Sequence, residues 1–146
     1  MFTGWMTNTM DAKGRLAIPA RFRDVLARRG DERLVVTASD KCLVAYPIEE
    51  WSALVEKVAN LSQFNLKVQA FRRYFISSGT EYSLDRQGRI LIPPSLRESA
   101  GLTGQVQLVG MQSNFEIWDK DRWIQERERI RQDFGDLSTV MAELGL

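Results

Sequence analysis

Two short segments of the chain place an aspartate, a glycine and an arginine at the same spacing: Asp11, Gly14 and Arg15, then Asp85, Gly88 and Arg89. A guanidinium offers a planar fork that takes two phosphate oxygens or the O6/N7 edge of guanine. Lys13, Arg21 and Arg23 surround the first segment. In the second, Arg86 accompanies Arg89, while Gln87 and Ser95 stand where the first has Lys13 and Arg21. Residues 11–29 hold six cations against two carboxylates, a net +4 that leaves −3 for the rest of a chain of net charge +1. Such a segment gives an anion somewhere to sit, although a solvated helix face reads the same by charge alone. On these grounds the first segment is the better anion site and the second mainly structural.

Other chemistry is thinly provided for. The chain has no histidine, which removes the commonest general base at neutral pH and the commonest metal ligand. No P-loop, G-x-S-x-G or G-x-G-x-x-G motif is present. No metal and no cofactor is therefore expected, and an enzyme would have to work with carboxylates, Lys, Tyr or Ser. The one cysteine, Cys42, reads as a small buried residue, excludes an internal disulfide and fits a reducing compartment. No run of 18 apolar residues predicts a membrane span, and the opening MFTGWMTNTM does not read as a secretory signal. With 44% hydrophobic and 27% charged residues, the 146-residue chain is expected to form one or two small globular domains.

The arginine segments belong to a longer repeat. DAKGRLAIPARFR at 11–23 aligns with DRQGRILIPPSLR at 85–97, and six of the 13 positions are identical, Arg23 and Arg97 among them. Farther on, Tyr46 matches Trp118 and Trp51 matches Trp123. The expected organisation is a first domain with its closing helix over 1–62, a connecting helix over 63–78, a second domain over 79–134 and a loose tail over 135–146.

Each half follows one grammar. A strand (5–10 or 79–84) meets an Asp-x-x-Gly turn, predicted to close a hairpin as a type I turn with a glycine bulge. A short apolar strand follows (15–18 or 89–92), then a helix opened by Pro19 or Pro93–Pro94 and stopped at Gly30 or Gly101. Two more strands (34–38 with 42–46, 105–110 with 115–118) lead to a longer helix from near Pro47 or Asp119. One such unit cannot bury both faces of its strands, whereas two copies can pack as a pseudo-dimer.

Trp51, Leu54, Val58 and Leu61, then Phe64, Val68, Phe71 and Phe75, make an apolar stripe on each of two helices, with Asn65 as an N-cap between them. An intrachain hairpin and a subunit contact fit that stripe equally. Trp51 and Trp123 read as core, and the charged run 126–131 as a solvated helix face. An exposed Asp–Arg pair contributes only about 0–1 kcal/mol, so stability alone is a weak reason to repeat one. Asp11, Gly14, Asp85 and Gly88 are expected to shape the turns, and Gly14 to let the backbone approach a ligand closely.

MFTG, MDAKGRLAIPARFR, LDRQGRILIPPSLRESAGL and LVGMQSNFEIWDKDRW together resemble the MraZ family of bacterial transcriptional regulators, from Met1 to about Trp123. Met10, where Leu commonly precedes the aspartate, is a conservative departure. The resemblance implies an α+β fold: two tandem AbrB-like swapped-hairpin β units packed as a pseudo-dimeric β-barrel with peripheral helices. It further implies a ring-like homo-oligomer, cytoplasmic and nucleoid-associated, with no membrane attachment. The implied partner is double-stranded promoter DNA, bound at direct repeats ahead of the division and cell-wall operon. Lys13 and Arg15 carry the DNA contact by that resemblance, oriented by Asp11 and Asp85. The full candidate DNA-binding set is Lys13, Arg15, Arg21, Arg23, Arg86 and Arg89. Rival readings are an oligomeric scaffold, a DNA-binding antitoxin on the same fold, and a small carboxylate-dependent enzyme.

Overall fold

The computed structural model describes residues 1–146. In the first half, β1 (Trp5–Thr9) leads through the Asp11 turn to β2 (Arg15–Ala17) and α1 (Ala20–Arg28). A hairpin of β3 (Leu34–Ala38) and β4 (Leu43–Pro47) follows, then α2 (Ile48–Ala59). After α3 (Leu66–Phe71) and one π-helical turn, Arg72–Ile76, the second half repeats the order: β5 (Thr80–Tyr82), β6 (Arg89–Leu91), α4 (Pro94–Ala100), β7 (Gln105–Gly110), β8 (Phe115–Asp119) and α5 (Lys120–Phe134). Local chemistry accounts for the boundaries. Pro19 and Pro93 precede α1 and α4, whose buried Phe22/Leu26 and Leu96/Ala100 lie four apart on one face. Gly101 ends α4 in the left-handed conformation, φ +65°.

The strands form a six-stranded antiparallel sheet, β1-β7-β8-β4-β3-β5, and a two-stranded ribbon, β2-β6. The halves exchange strands: β1 ladders with β7 (Trp5 opposite Val109) and β5 with β3 (Tyr82 opposite Leu34). Two expectations are corrected here. β1 and β2 turn tightly around Asp11 but lie in different sheets, so they are not a laddered hairpin. Nor does a barrel close, because β1 and β5 remain the edges of the larger sheet. The Asn8 side-chain amide donates to the Ala17 carbonyl at 2.6 Å, a side-chain tie between β1 and β2 where no backbone ladder joins them. The ribbon's backbone bonds run instead between halves, extended by Ile18 N to Gly88 O and Ile92 N to Gly14 O, each 2.9 Å.

Leu16, Ile18, Ile90 and Ile92 point from the ribbon into a core fed by both halves. Phe2, Phe22 and Phe115 meet there with ring centroids 4.8–5.3 Å apart. A smaller cluster of Cys42, Val44, Val109, Trp118 and Trp123 packs separately, and burial raises the Cys42 thiol pKa. The charged run is less free than its composition suggests: Glu126 takes Lys41 Nζ at 2.9 Å and also pairs with Arg129.

Between the halves, Trp51 stacks among Tyr46 and Phe75, while Leu61 and Phe64 stay exposed. Asn65 caps α3, its side-chain oxygen accepting from the Lys67 and Val68 amides at 2.9 and 3.3 Å. Asn65→Ala is therefore expected to cost about 1 kcal/mol, seen as a lower urea midpoint with unchanged slope. The tail expected to be loose instead forms α6 (Leu137–Glu143), capped by Asp136 through the Ser138 amide. No helix is long and apolar enough to cross a membrane.

Candidate nucleic-acid interface

Both turns are built alike. Asp11 accepts the Lys13 and Arg15 amides on one carboxylate oxygen, at 3.0 and 2.9 Å, and Arg15 Nε on the other at 2.6 Å. Asp85 does the same with the Gln87 and Arg89 amides, at 2.8 and 2.9 Å, and Arg89 Nε at 2.9 Å. Gly14 (φ +92°) and Gly88 (φ +73°) close the loops, each donating to its aspartate carbonyl at 3.0 Å. The amide of Arg15, and likewise of Arg89, is the main cause holding its aspartate below the ordinary carboxylate value of 3.8; the guanidinium adds to it and desolvation opposes it. A depressed carboxylate stabilises the fold above its unfolded pKa and loses that contribution only as pH falls through the lower folded value. The cages thus stay charged throughout the neutral range. Each arginine spends Nε on its aspartate and leaves both terminal nitrogens without a protein acceptor.

The ribbon brings the two arginines together. Arg15 lies opposite Leu91 and Ala17 opposite Arg89, while Leu16 and Ile90 between them are buried. Opposed residues in an antiparallel pair share a side, so Arg15, Ala17, Arg89 and Leu91 form the outer face. The arginines are diagonal neighbours there, with side-chain roots roughly 7–8 Å apart.

The helix arginines are distributed differently from their order in the chain. Arg23 Nε donates to the Ile18 carbonyl at 3.1 Å and lies over the second turn, where a Cβ on Gly88 would stand 2.8 Å from Arg23 Cδ. Arg97 mirrors it, donating to the Ile92 carbonyl at 3.0 Å and lying 2.9 Å from a Cβ built on Gly14. Each helix arginine therefore rests on the turn of the other half. Arg21 is at neither turn and stands beside Gly4. The cationic surplus of residues 11–29 is thus not a surplus at the first turn. Lys13, Arg15 and Arg97 gather there, and Arg86, Arg89 and Arg23 at the second. The space expected to admit a ligand at Gly14 is filled by the Ile92 carbonyl and Arg97. Arg97 was absent from the candidate set, and the signal for it is its identity with Arg23 in the repeat.

Fold and site together define a duplicated α+β protein whose halves exchange strands and hold two caged arginines on one ribbon. A family model described as "MraZ protein, putative antitoxin-like" matches residues 1–74 and again 75–142, and the chain belongs to the MraZ family. A relative from Syntrophobacter fumaroxidans is 46% identical over 99% of this chain and 97% of its own length. One from Ligilactobacillus salivarius is 41% identical over the whole of both chains, and one from Thermomicrobium roseum 40% identical over 99% of both. Each of the three is named "Transcriptional regulator MraZ".

Proposed function

We propose that this protein is a transcriptional regulator, not an enzyme, and that it reads double-stranded promoter DNA with the outer face of the β2-β6 ribbon. The observation that carries this is the placement of Arg15 and Arg89 on one exposed face, each anchored at Nε with its fork free. The major groove admits a two-stranded β-ribbon, and an arginine fork matches guanine O6/N7. Lys13, Arg23, Arg86 and Arg97 surround that face as phosphate contacts, without ion-pair partners of their own. Arg21 would contribute only where a bound duplex extends past the turns. The names of the relatives support a regulatory role, and the exchange of β1 and β5 supports an AbrB-like pseudo-dimer despite the open barrel. The domain limits stay as read from the repeat, with 63–78 as connector.

The target in this reading is a set of short direct repeats ahead of the division and cell-wall operon, bound in the cytoplasm at the nucleoid by a ring of identical subunits. A ring matters energetically because each later contact is intramolecular. If four subunits each neutralise about two phosphates, log affinity falls with log salt at a slope near −7, roughly four decades between 50 and 200 mM. The test is a salt-titrated anisotropy curve on repeat-bearing and scrambled duplexes, with light scattering on the same sample. The expected result is a steep slope, preference for the repeats and a particle several times the mass of one chain. Equal affinity for both duplexes removes sequence reading, and no binding in dilute buffer removes DNA altogether.

A further inference from the structure

Between α2 and α3 lies a groove of about 480 Å³, lined by Leu54, Val58, Leu61, Val68 and Phe71. Lys57 and Lys67 line it too, no carboxylate does, and neither lysine belongs to an ion pair. The connection between the two helices adds Phe64, 92% exposed. Apolar surface gathered in this way marks an interaction site rather than a solvated face. A second unpartnered surface lies on α6, which buries no residue and leaves Leu137, Met141 and Leu144 in water. With Val140 they follow the i, i+3, i+4, i+7 spacing by which a helix fills a groove. A helix of seven residues is marginal alone in water, so a partner along that stripe stabilises it.

We infer that α6 of one copy docks into the α2-α3 groove of a second copy. The two surfaces match in shape class and in charge. Four apolar anchors on α6 meet an apolar groove, and residues 135–146 carry Asp136 and Glu143 with no cation, opposite in sign to Lys57 and Lys67. Within one chain they do not meet: no α6 residue lines the groove, and Leu137 borders a separate cleft with Trp5 and Phe134. Each copy therefore offers a groove to one neighbour and a helix to another, the head-to-tail arrangement from which rings close. This contact deepens the ring of the proposed function and rests on self-assembly, not on DNA binding.

The test uses full-length variants. Leu61→Glu in the groove, and Leu137→Glu with Met141→Glu on α6, change exposed positions, so circular dichroism is expected to stay as in wild type. Light scattering over a dilution series reads assembly, and either change should raise the concentration of half-dissociation by about tenfold or more. To locate the contact, Leu61→Cys chains and Leu144→Cys chains with different tags are mixed and mildly oxidised; Cys42, being buried, stays in place. A disulfide between chains should form well above the level given by Leu61→Cys with Thr139→Cys, because residue 139 lies on the far side of α6 from the stripe. A double variant, Leu61→Cys with Leu144→Cys, that closes within single chains overturns the second copy and assigns the groove to the chain's own α6. Duplex binding lost in Leu61→Glu at unchanged mass overturns it too and gives the groove to DNA. Assembly that survives every variant, with no link above the control, overturns the contact and leaves the ring standing. The link found in a particle of only two chains upholds the contact and removes the ring, whereas a wild type that stays monomeric at every concentration removes both.

Discussion

Arg15→Ala is expected to abolish duplex binding while circular dichroism, melting temperature and oligomer size stay close to wild type. The fold should tolerate the change because the Arg15 side chain is 39% exposed and its pair with Asp11 is exposed as well. A pair of that kind contributes about 0–1 kcal/mol. The bond to Asp11 from the residue-15 backbone amide, 2.9 Å long, does not depend on the side chain, so the turn keeps its shape. Binding has no such reserve. A lost bidentate contact is worth about 1–3 kcal/mol of discrimination at one site, and the loss is repeated at every subunit that engages the DNA. Arg89→Ala is expected to weaken binding as well, since the second turn holds its own caged arginine with Arg86 and Arg23 beside it. Gel shift or anisotropy on repeat-bearing duplex decides the matter, and normal binding by Arg15→Ala would remove the first turn from the interface.

Gly14→Val should lower the melting temperature by roughly 10 °C, with loss of DNA binding following from the damaged turn. Two costs combine. A φ of +92° strains any β-branched residue by about 1–3 kcal/mol. The added Cβ would also stand 2.6 Å from the Ile92 carbonyl and 2.9 Å from Arg97 Nε. That carbonyl cannot retreat freely, because the Ile92 amide is bonded to Gly14 O at 2.9 Å. Together these should cost about 3–5 kcal/mol. Gly30 supplies the control: its φ is +78° but nothing stands within 4 Å of a built Cβ, so valine there reports the backbone strain alone. Equal melting temperatures for the two variants would contradict the steric part.

What could be read from the sequence is what local chemistry decides. Asp11 and Gly14 announce their turn because its bonds close within five residues. Gly101 stops α4 and Asn65 starts α3 for equally local reasons. What could not be read depends on contacts between distant residues. Arg23 follows the first turn in the chain but rests on the second, because β2 pairs with β6 in the opposite half. The same pairing hid Arg97, although its match with Arg23 was visible in the repeat. The open barrel was illegible too, since it depends on which strands of the two halves ladder with one another. The missed α6 is a different case: Asp136 ahead of Leu137, Val140, Met141 and Leu144 carries a cap and a one-sided spacing that could have been taken for a helix.

The exchange of strands bears on how the protein is made. While only residues 1–74 have emerged from the ribosome, β1 still awaits β7, about a hundred residues farther along, and β3 awaits β5. Closing so long a loop must precede any gain from the ladder it forms. Acquisition of the native state is thus a late event in translation. A stall in the second half leaves unpaired edges of nascent polypeptide open to aggregation, the kind of surface that ribosome-associated chaperones shield.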